Sequence, residues 1–283
     1  MKFTKMHGIG NDYIYVNCMN GIDFDPGMTS IGLSDRHFGV GSDGMILICP
    51  SDKADFRMRM FNADGSEGKM CGNGIRCFAK YVYCKGLTDK TVITIETLAG
   101  IRTAWLILED GDVTAVRVDM GSPIIEPSLI PVLFDGERMV NETIEVSGNA
   151  WKVTAVSMGN PHCVTYVEDV DSLDLEKIGP AFEHHPLFPE RVNTEFVQPV
   201  NETTVKMRVW ERGSGETWAC GTGACAVAVA SVLNGIVSSD SVTVKLRGGD
   251  LSVEWNRNEN TIFMTGPATF VYEGEVGALT CVR

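Results

Sequence analysis

The chain has 283 residues, enough for one large domain or for two domains of about 100–150 residues with full hydrophobic cores. It carries 24 Lys and Arg against 37 Asp and Glu, so its formal net charge of −13 gives no basic field for nucleic acid. No apolar stretch approaches the roughly 18–20 residues of a membrane helix, and the N-terminal residues lack the apolar segment of a signal peptide. We therefore expect a cytoplasmic protein that binds neither nucleic acid nor a membrane.

The first part of the chain reads as short strands with a single strong helix. Turn residues separate runs of β-branched and apolar residues, which is typical of strands. Apolar residues at helical spacing predict a helix over residues 74–84. The predicted strands cover residues 13–17, 45–48, 56–61, 92–96 and 115–119.

The second part repeats this pattern after a joining stretch, 124–150, that contains a predicted strand at 143–146. The predicted helix over residues 223–233 is apolar on nearly every side, so it must be buried. Near the end, the apolar segment 269–272 is expected to return and complete the sheet of the first domain.

The two parts are copies of one unit. Around Cys71 the sequence reads MCGNGIRCFA, and around Cys220 it reads ACGTGACAVA, 149 residues later. The same register links five separate segments, which a chance match of one Cys-Gly-x-Gly would not do. Towards the end, residues 120–123 resemble residues 264–267 at an offset nearer 144, as a shortened hairpin turn would explain.

These patterns predict an α+β fold of two pseudo-symmetric domains. Each domain is expected to be a curved, mostly antiparallel sheet around a central helix. The first would comprise residues 1–118 plus 268–283, and the second residues 119–267. Strands and helices do not alternate regularly, so a doubly wound parallel sheet is disfavoured.

The nine cysteines are odd in number and include no CxxC pair, which predicts reduced thiols and no zinc site. Cys71 and Cys220 each precede a predicted helix, whose free N–H groups and dipole lower a thiol pKa and hold an anion. Buried cysteines in tight turns would be the simpler interpretation. Two thiols at equivalent repeat positions, however, would face each other across a shared cleft. That arrangement suits dithiol redox chemistry or proton exchange on the two faces of one carbon.

Seven segments together give the sequence a specific resemblance. They are GIGNDY at 8–13, FNADGSE at 61–67, MCGNGIRC at 70–77, MGNPHCV at 158–164, RVNTEFV at 191–197, ERGSGET at 211–217 and ACGTGACA at 219–226. With them the chain resembles the diaminopimelate epimerase family. Proline racemases and PhzF-like isomerases resemble the same fold, but proline racemase-like chains typically show MCGHG where this chain has MCGNG.

The resemblance implies a cofactor-independent epimerase that interconverts LL- and meso-2,6-diaminopimelate in lysine and peptidoglycan precursor biosynthesis. It implies that Cys71 and Cys220 are the two acid/base residues, one thiolate while the other is thiol. It also implies that His162 and Glu211 modulate the thiol pKa values, and that no cofactor or metal is used. The residues implied to bind substrate are Asn11, Asn62, Gly72, Asn73, Asn160, Asn193, Glu211, Arg212, Gly221 and Thr222.

Gly44 is a departure, because some members of the family carry Gln there; this leaves its effect on substrate contacts open. Cys77, Cys163 and Cys225 are interpreted as packing residues. The expected partner is the small-molecule substrate, and a homodimer is left open. A related racemase or isomerase of the same fold, a thiol-redox protein and a non-catalytic amino-acid-binding module remain as alternatives.

Overall fold

A computed structural model describes residues 1–277, so the predictions for residues 278–283, including Cys281, lie outside the described part. The chain folds into two compact units: residues 1–118 with the segment from Gly266 onward, and residues 119–265. The division predicted from the repeat differs from this one at Gly266 and Pro267. Pro267 is tied to the first unit because its carbonyl accepts a hydrogen bond from Arg76 Nε at 3.3 Å.

The elements follow in chain order. The first part contains β1 (Lys2–Gly8), β2 (Asn11–Asn17), α1 (Pro26–Ser34), β3 (Gly44–Cys49), β4 (Phe56–Asn62), β5 (Glu67–Gly68), α2 (Gly72–Cys84), β6 (Val92–Thr97), β7 (Gly100–Glu109) and β8 (Asp112–Gly121). A 3₁₀ turn (Pro127–Leu129) precedes β9 (Glu142–Val146), β10 (Asn149–Ser157), β11 (Pro161–Tyr166), α3 (Leu175–Glu183), β12 (Asn193–Asn201), β13 (Thr204–Glu211), β14 (Gly215–Thr217), α4 (Gly221–Leu233), β15 (Ser241–Leu246), β16 (Gly249–Asn256), β17 (Thr261–Gly266) and β18 (Thr269–Glu275).

Each unit is a mixed, mainly antiparallel sheet around a central helix, which confirms the predicted fold class. In the first unit the strand order is β18–β1–β2–β3–β4–β6–β7–β8, with parallel pairs β2/β3 and β4/β6. In the second it is β9–β10–β11–β12–β13–β15–β16–β17, with parallel pairs β11/β12 and β13/β15. β18 pairs with β1, so the prediction that the last apolar segment completes the first sheet is confirmed.

Strand pairing keeps the repeat register of 149 residues. In the first unit Tyr13 of β2 lies opposite Gly44 of β3. In the second unit the equivalent residues, His162 and Asn193, lie opposite each other in β11 and β12. The two sheets are therefore equivalent residue by residue around their central strands.

The register changes at the last hairpin of each unit. Ala104 pairs with Val118 in the first unit, whereas Val253 pairs with Met264 in the second. The offset thus falls from 149 to 146, not to the 144 at which residues 120–123 resemble residues 264–267. The predicted shortened turn was also wrong, because the turn of the second hairpin, residues 257–260, is longer than that of the first, residues 110–111. A bulge between Ile107 and Leu108 and a longer β8 account for the extra residues of the first hairpin.

The central helices begin two residues earlier than predicted, at Gly72 and Gly221. The prediction of one helix per copy missed α1 and α3, which are nine residues each and also lie 149 residues apart. α1 is rich in Gly, Ser and Thr, and α3 contains Pro180, so neither carries a strong helical pattern. No helix within residues 1–277 has the length and apolar character needed to cross a membrane.

The core of the second unit lies on both faces of β11 and β12. Residues 161–165 and 193–197 are buried without alternation, as in strands covered on both sides. On the face of α3, the rings of Trp151, Phe182 and Phe196 meet edge to face at 5.2–6.1 Å. This packing fixes the strand ends that carry the polar residues of the site.

Alanine substitutions at two helical glycines are expected to change the stability of the protein in opposite directions. A Cβ at Gly179 of α3 would lie 2.3 Å from the Trp210 ring, so Gly179→Ala should destabilise the protein by about 1–3 kcal/mol. A Cβ at Gly32 of α1 would meet no atom within 4 Å among the described residues. Gly32→Ala should therefore stabilise the helix by about 0.5–1 kcal/mol. Urea unfolding measures both, and midpoints that move in the same direction would contradict this packing.

Candidate active site

Cys71 is the N-cap of α2. Its sulfur accepts the backbone N–H of Gly74 at 3.3 Å, which is why the helix begins directly after the cysteine. The sulfur also lies 3.3 Å from Asn11 Oδ1, to which the thiol donates. The thiol is thus held between a helix start, which stabilises a thiolate, and an amide oxygen, which accepts the hydrogen bond of the thiol form.

The expectation of a lowered thiol pKa was wrong for Cys71. Burial raises the pKa of Cys71, because removing a thiolate from water costs more than the helix start returns. The Gly74 N–H, the Tyr13 hydroxyl and the Arg76 charge act in the opposite direction. The resting group is therefore a thiol whose anion already has donors in place.

The amide of Asn11 has a defined orientation. Its Nδ2 donates to Asp43 Oδ2 at 2.7 Å, and a carboxylate can only accept. Its Oδ1 therefore faces the opposite side, where it accepts from Cys71 and, at 3.3 Å, from Asn73 Nδ2. Arg36 holds the other oxygen of Asp43 at 2.8 Å. Asp43 was not predicted, although it directly precedes Gly44.

Tyr13 is a second residue of the site that was not predicted, although it lies in the segment GIGNDY at 8–13. It is 5% exposed, its hydroxyl hydrogen-bonds Cys71, and burial raises its pKa well above the usual value. It therefore stays a neutral hydroxyl that can donate to a thiolate. The repeat register contained the signal, because Tyr13 occupies the position of His162.

Cys220 is the N-cap of α4 and is 4% exposed. Its sulfur accepts the Gly223 N–H at 3.3 Å and lies 3.6 Å from Thr222 Oγ1. Burial and the negative charges of Glu211 and Glu195 raise the pKa of Cys220 well above its usual value, so the expected lowering was wrong here too. Thr222 and the Gly223 N–H oppose that rise.

Glu211, at the end of β13, faces this thiol. Its carboxylate accepts the hydroxyl of Thr217 and a hydrogen bond from Cys220. Burial raises the pKa of Glu211, and the two donors act against it. A half-buried carboxylate that receives the thiol hydrogen is positioned to take the proton when Cys220 becomes a thiolate.

His162 lies on β11 with no exposed surface. Its Nδ1 is 2.7 Å from Glu195 Oε1, and its Nε2 is 3.1 Å from Asn160 Oδ1. Asn160 Nδ2 donates to Thr222 Oγ1 at 3.4 Å. A hydrogen-bonded chain therefore runs from a buried carboxylate to the first turn of α4, beside Cys220.

Asn193 and Arg212 are connected through the backbone. Asn193 Nδ2 donates to the Pro161 carbonyl at 3.1 Å, and its Oδ1 accepts the Arg212 N–H at 2.9 Å. The Arg212 guanidinium is exposed and donates to the Glu190 carbonyl at 2.8 Å. Asn193 thus fixes the turn from which Arg212 projects.

The remaining predicted site residues sit at element ends. Gly72 and Gly221 are the first residues of α2 and α4, where backbone N–H groups lack intrahelical partners. Asn73 is 2% exposed and reaches Asn11, as above. Asn62, at the end of β4, donates to Ser66 Oγ at 2.9 Å in its own turn rather than to the group around Cys71.

Gly44 is required by close packing. A Cβ there would lie 2.1 Å from the Phe61 carbonyl oxygen across the β3/β4 pair. A glutamine at this position would need the two strands to separate. A side chain at position 44 therefore does not fit this strand pair as it stands.

Three further cysteines lie buried beside the motifs: Cys77 in α2, Cys163 in β11 and Cys225 in α4. Burial raises the pKa of Cys77 to about 11 and also raises that of Cys163. Such thiols are poor acids and fill space among apolar neighbours. Residues 1–277 contain no group of three or more His, Cys, Asp or Glu side chains arranged to hold a metal ion.

Comparison with known structures supports the fold. A probable proline racemase from Agrobacterium radiobacter superimposes with a TM-score of 0.73 at 15% identity, over 98% of this chain and 93% of that chain. A PhzF-family phenazine biosynthesis protein from Bacillus anthracis gives a TM-score of 0.70 at 17% identity, over 98% of each chain. At these identities the similarity shows a shared fold alone.

Sequence comparison is more specific. The diaminopimelate epimerase family matches residues 3–126 and 154–271. A diaminopimelate epimerase from Acetivibrio thermocellus is 62% identical over 276 residues, which is 98% of each chain. One from Methanococcus maripaludis is 58% identical, over 98% of this chain and 99% of its own. The chain therefore belongs to the diaminopimelate epimerase family.

Proposed function

We propose that this protein interconverts LL- and meso-2,6-diaminopimelate, in lysine and peptidoglycan precursor biosynthesis, by moving a proton at one α-carbon. One observation carries the chemistry: a cysteine caps the central helix at the same position of both repeat copies. The identity of the substrate is inferred from similar proteins that are named diaminopimelate epimerase. The substrate is a small zwitterion, and neither a nucleic acid nor a membrane enters the proposal.

In the proposed mechanism Cys71 and Cys220 act on opposite faces of the α-carbon. One removes the α-hydrogen as a thiolate while the other donates its thiol hydrogen, and the reverse reaction exchanges these roles. Burial keeps both groups protonated at rest, so a thiolate must be formed within the site. Glu211 is the acceptor for the proton of Cys220. A Cys71 thiolate forms when Cys71 delivers its proton to the α-carbon, and the Tyr13 hydroxyl stabilises it.

The α-hydrogen of an amino acid is a very weak acid, so the site must stabilise negative charge that develops at the α-carbon and its carboxylate. Backbone N–H groups at the starts of α2 and α4 are suited to this, because a helix N-terminus favours an anion. The first of these N–H groups belong to Gly72 and Asn73 in α2 and to Gly221 and Thr222 in α4. These donors are fixed before the reaction and need no reorganisation.

The polar side chains of the two motifs would recognise the ends of the substrate. Asn11 and Asn160 present amides at equivalent repeat positions, and Asn62 and Asn193 stand at strand ends. An amide both donates and accepts, as a zwitterion requires. Arg212 is exposed and is suited to a fork with a carboxylate.

The proposal includes a reducing compartment, the cytoplasm, because the eight cysteines of residues 1–277 are all free thiols. Catalysis by a thiolate requires that state. The proposed mechanism does not require a homodimer, because one chain supplies both cysteines.

The proposal is tested by incubating purified protein with LL-diaminopimelate without added cofactor and separating the stereoisomers by chromatography. Meso-diaminopimelate should appear and should also be converted back. L-Proline, incubated in parallel, should keep its configuration, which separates this activity from that of fold relatives named proline racemase. Conversion of proline without conversion of diaminopimelate would overturn the proposed substrate.

A further inference from the structure

Glu195 is a buried carboxylate that none of the steps above uses. It lies on β12 with no exposed surface, and its Oε1 is 2.7 Å from Nδ1 of the equally buried His162. Its second oxygen, Oε2, is also buried and finds no hydrogen-bond partner among residues 1–277. A charge so placed is costly, and it is directed at one histidine ring.

The repeat shows that the fold does not need this carboxylate. In the first unit, Ile46 occupies the position of Glu195, and Tyr13 occupies that of His162. A Cβ at Gly74 would meet Ile46 Cδ1 at 2.6 Å, and a Cβ at the equivalent Gly223 would meet Glu195 Oε1 at the same distance. The same space beside the helix start is therefore filled by an apolar side chain in one copy and by a carboxylate in the other.

A carboxylate that accepts from Nδ1 holds a proton on that ring nitrogen. With Nδ1–H given to Glu195, Nε2 is the nitrogen that faces Asn160 Oδ1 at 3.1 Å. An amide oxygen only accepts, so this contact also requires a proton on Nε2. Asn160 in turn donates to Thr222 beside Cys220. The orientation of the Asn160 amide is thereby coupled to the protonation of Nε2.

We propose that Glu195 is a positioning residue that holds a proton on Nδ1 of His162 and so directs Nε2–H to Asn160 and, through it, to the start of α4. The kinetic consequence rests on the proposed function, whereas the protonation of Nδ1 does not. Five titratable groups lie close enough for their charges to interact with Glu195 or with one another: His162 and Cys163 on β11, Glu195 on β12, Glu211 at the end of β13, and Cys220 at the start of α4. The charge of Glu195 raises the thiol pKa values of Cys163 and Cys220.

The most direct test is nitrogen-15 NMR of histidine-labelled protein, which distinguishes a protonated from an unprotonated ring nitrogen. Wild-type His162 should show a protonated Nδ1 hydrogen-bonded to a carboxylate. Glu195→Gln keeps the shape of the side chain, but an amide can donate as well as accept. Nδ1 should therefore lose its proton and accept from the amide, while Nε2 keeps the proton that Asn160 Oδ1 accepts. An unprotonated Nδ1 in the wild type would overturn the proposal, even if no Glu195 variant folds.

Kinetics supply the second readout. Glu195→Gln should lower kcat by about 10- to 100-fold, the range typical of partners that orient a functional histidine, with little change in KM. It should also shift the pH profile. In a His162→Asn background the same substitution should lower kcat little further, because the two residues act as one unit. Additive losses would overturn the proposal.

Glu216→Gln is the matched control. Glu216 is a carboxylate of the second unit that is ion-paired with Arg208 and Arg247 rather than with a histidine; its Oε1 lies 2.7 Å from Arg208 Nε. Its loss should lower stability but leave the His162 signal and the pH profile unchanged. A His162 signal that moves equally in both variants would overturn the proposal. Absence of epimerase activity in the wild type would overturn the proposed function and leave the NMR result standing.

Discussion

Cys71→Ala and Cys220→Ala are each expected to lower the rate of epimerisation by at least about 10²–10⁴-fold, the usual contribution of a positioned acid or base. The loss should appear in kcat, because each thiol is needed for proton transfer in both directions. Neither substitution should unfold the chain, since alanine removes only a small cap from a buried helix. Initial rates from both isomers, together with thermal unfolding, measure the two effects.

Cys77→Ala and Cys225→Ala are the controls. Both thiols are buried inside the same two helices, but neither is at a helix start. These variants should keep most of the activity, with a modest loss of stability. A Cys220→Ala enzyme that retained a near-wild-type rate would refute the two-cysteine mechanism.

Glu211→Gln is expected to lower kcat by about 10²-fold, because the amide cannot take the proton of Cys220. The pH dependence should also change, in a direction that the charges determine. A neighbouring negative charge disfavours the thiolate, and Glu211 is among the groups that raise the thiol pKa of Cys220. Removing it lowers that pKa, so the limb of the rate profile that reports Cys220 should move to lower pH.

The profile of kcat/KM against pH measures this shift. Glu216→Gln again serves as the control, because its carboxylate pairs with Arg208 and Arg247 rather than with a thiol. A limb that stayed in place, or that moved to higher pH in Glu211→Gln, would contradict the electrostatic role of Glu211.

The repeat made most of the sheet predictable. A constant offset means that each strand of one copy identifies a strand of the other, and strand pairing follows that register from β2/β3 to β6/β7. The offset fails at the last hairpin, where a bulge changes the count. α1 was missed although Asp25 and Pro26 form a standard helix start, because its interior lacks an apolar stripe.

The site was predictable where motif and element boundary coincide. Both cysteines cap helices because each stands before a Gly-x-Gly that starts one. Glu195 and Asp43 could not be found in this way, since their partners are 33 and 32 residues distant and are brought close only by strand pairing. The expected fall in thiol pKa was wrong because a sequence shows a helix start but not the extent of burial.

The two-cysteine mechanism is best tested by incubating the protein with LL-diaminopimelate in D₂O, without added cofactor, and measuring deuterium at the α-carbon of the first meso product. With two bases, one thiol removes the substrate hydrogen and the other delivers a proton that has exchanged with solvent. Nearly every new meso molecule should therefore carry deuterium at the inverted carbon, while unconverted LL substrate initially remains protonated there. Meso product that retained its original α-hydrogen would contradict the two-base account.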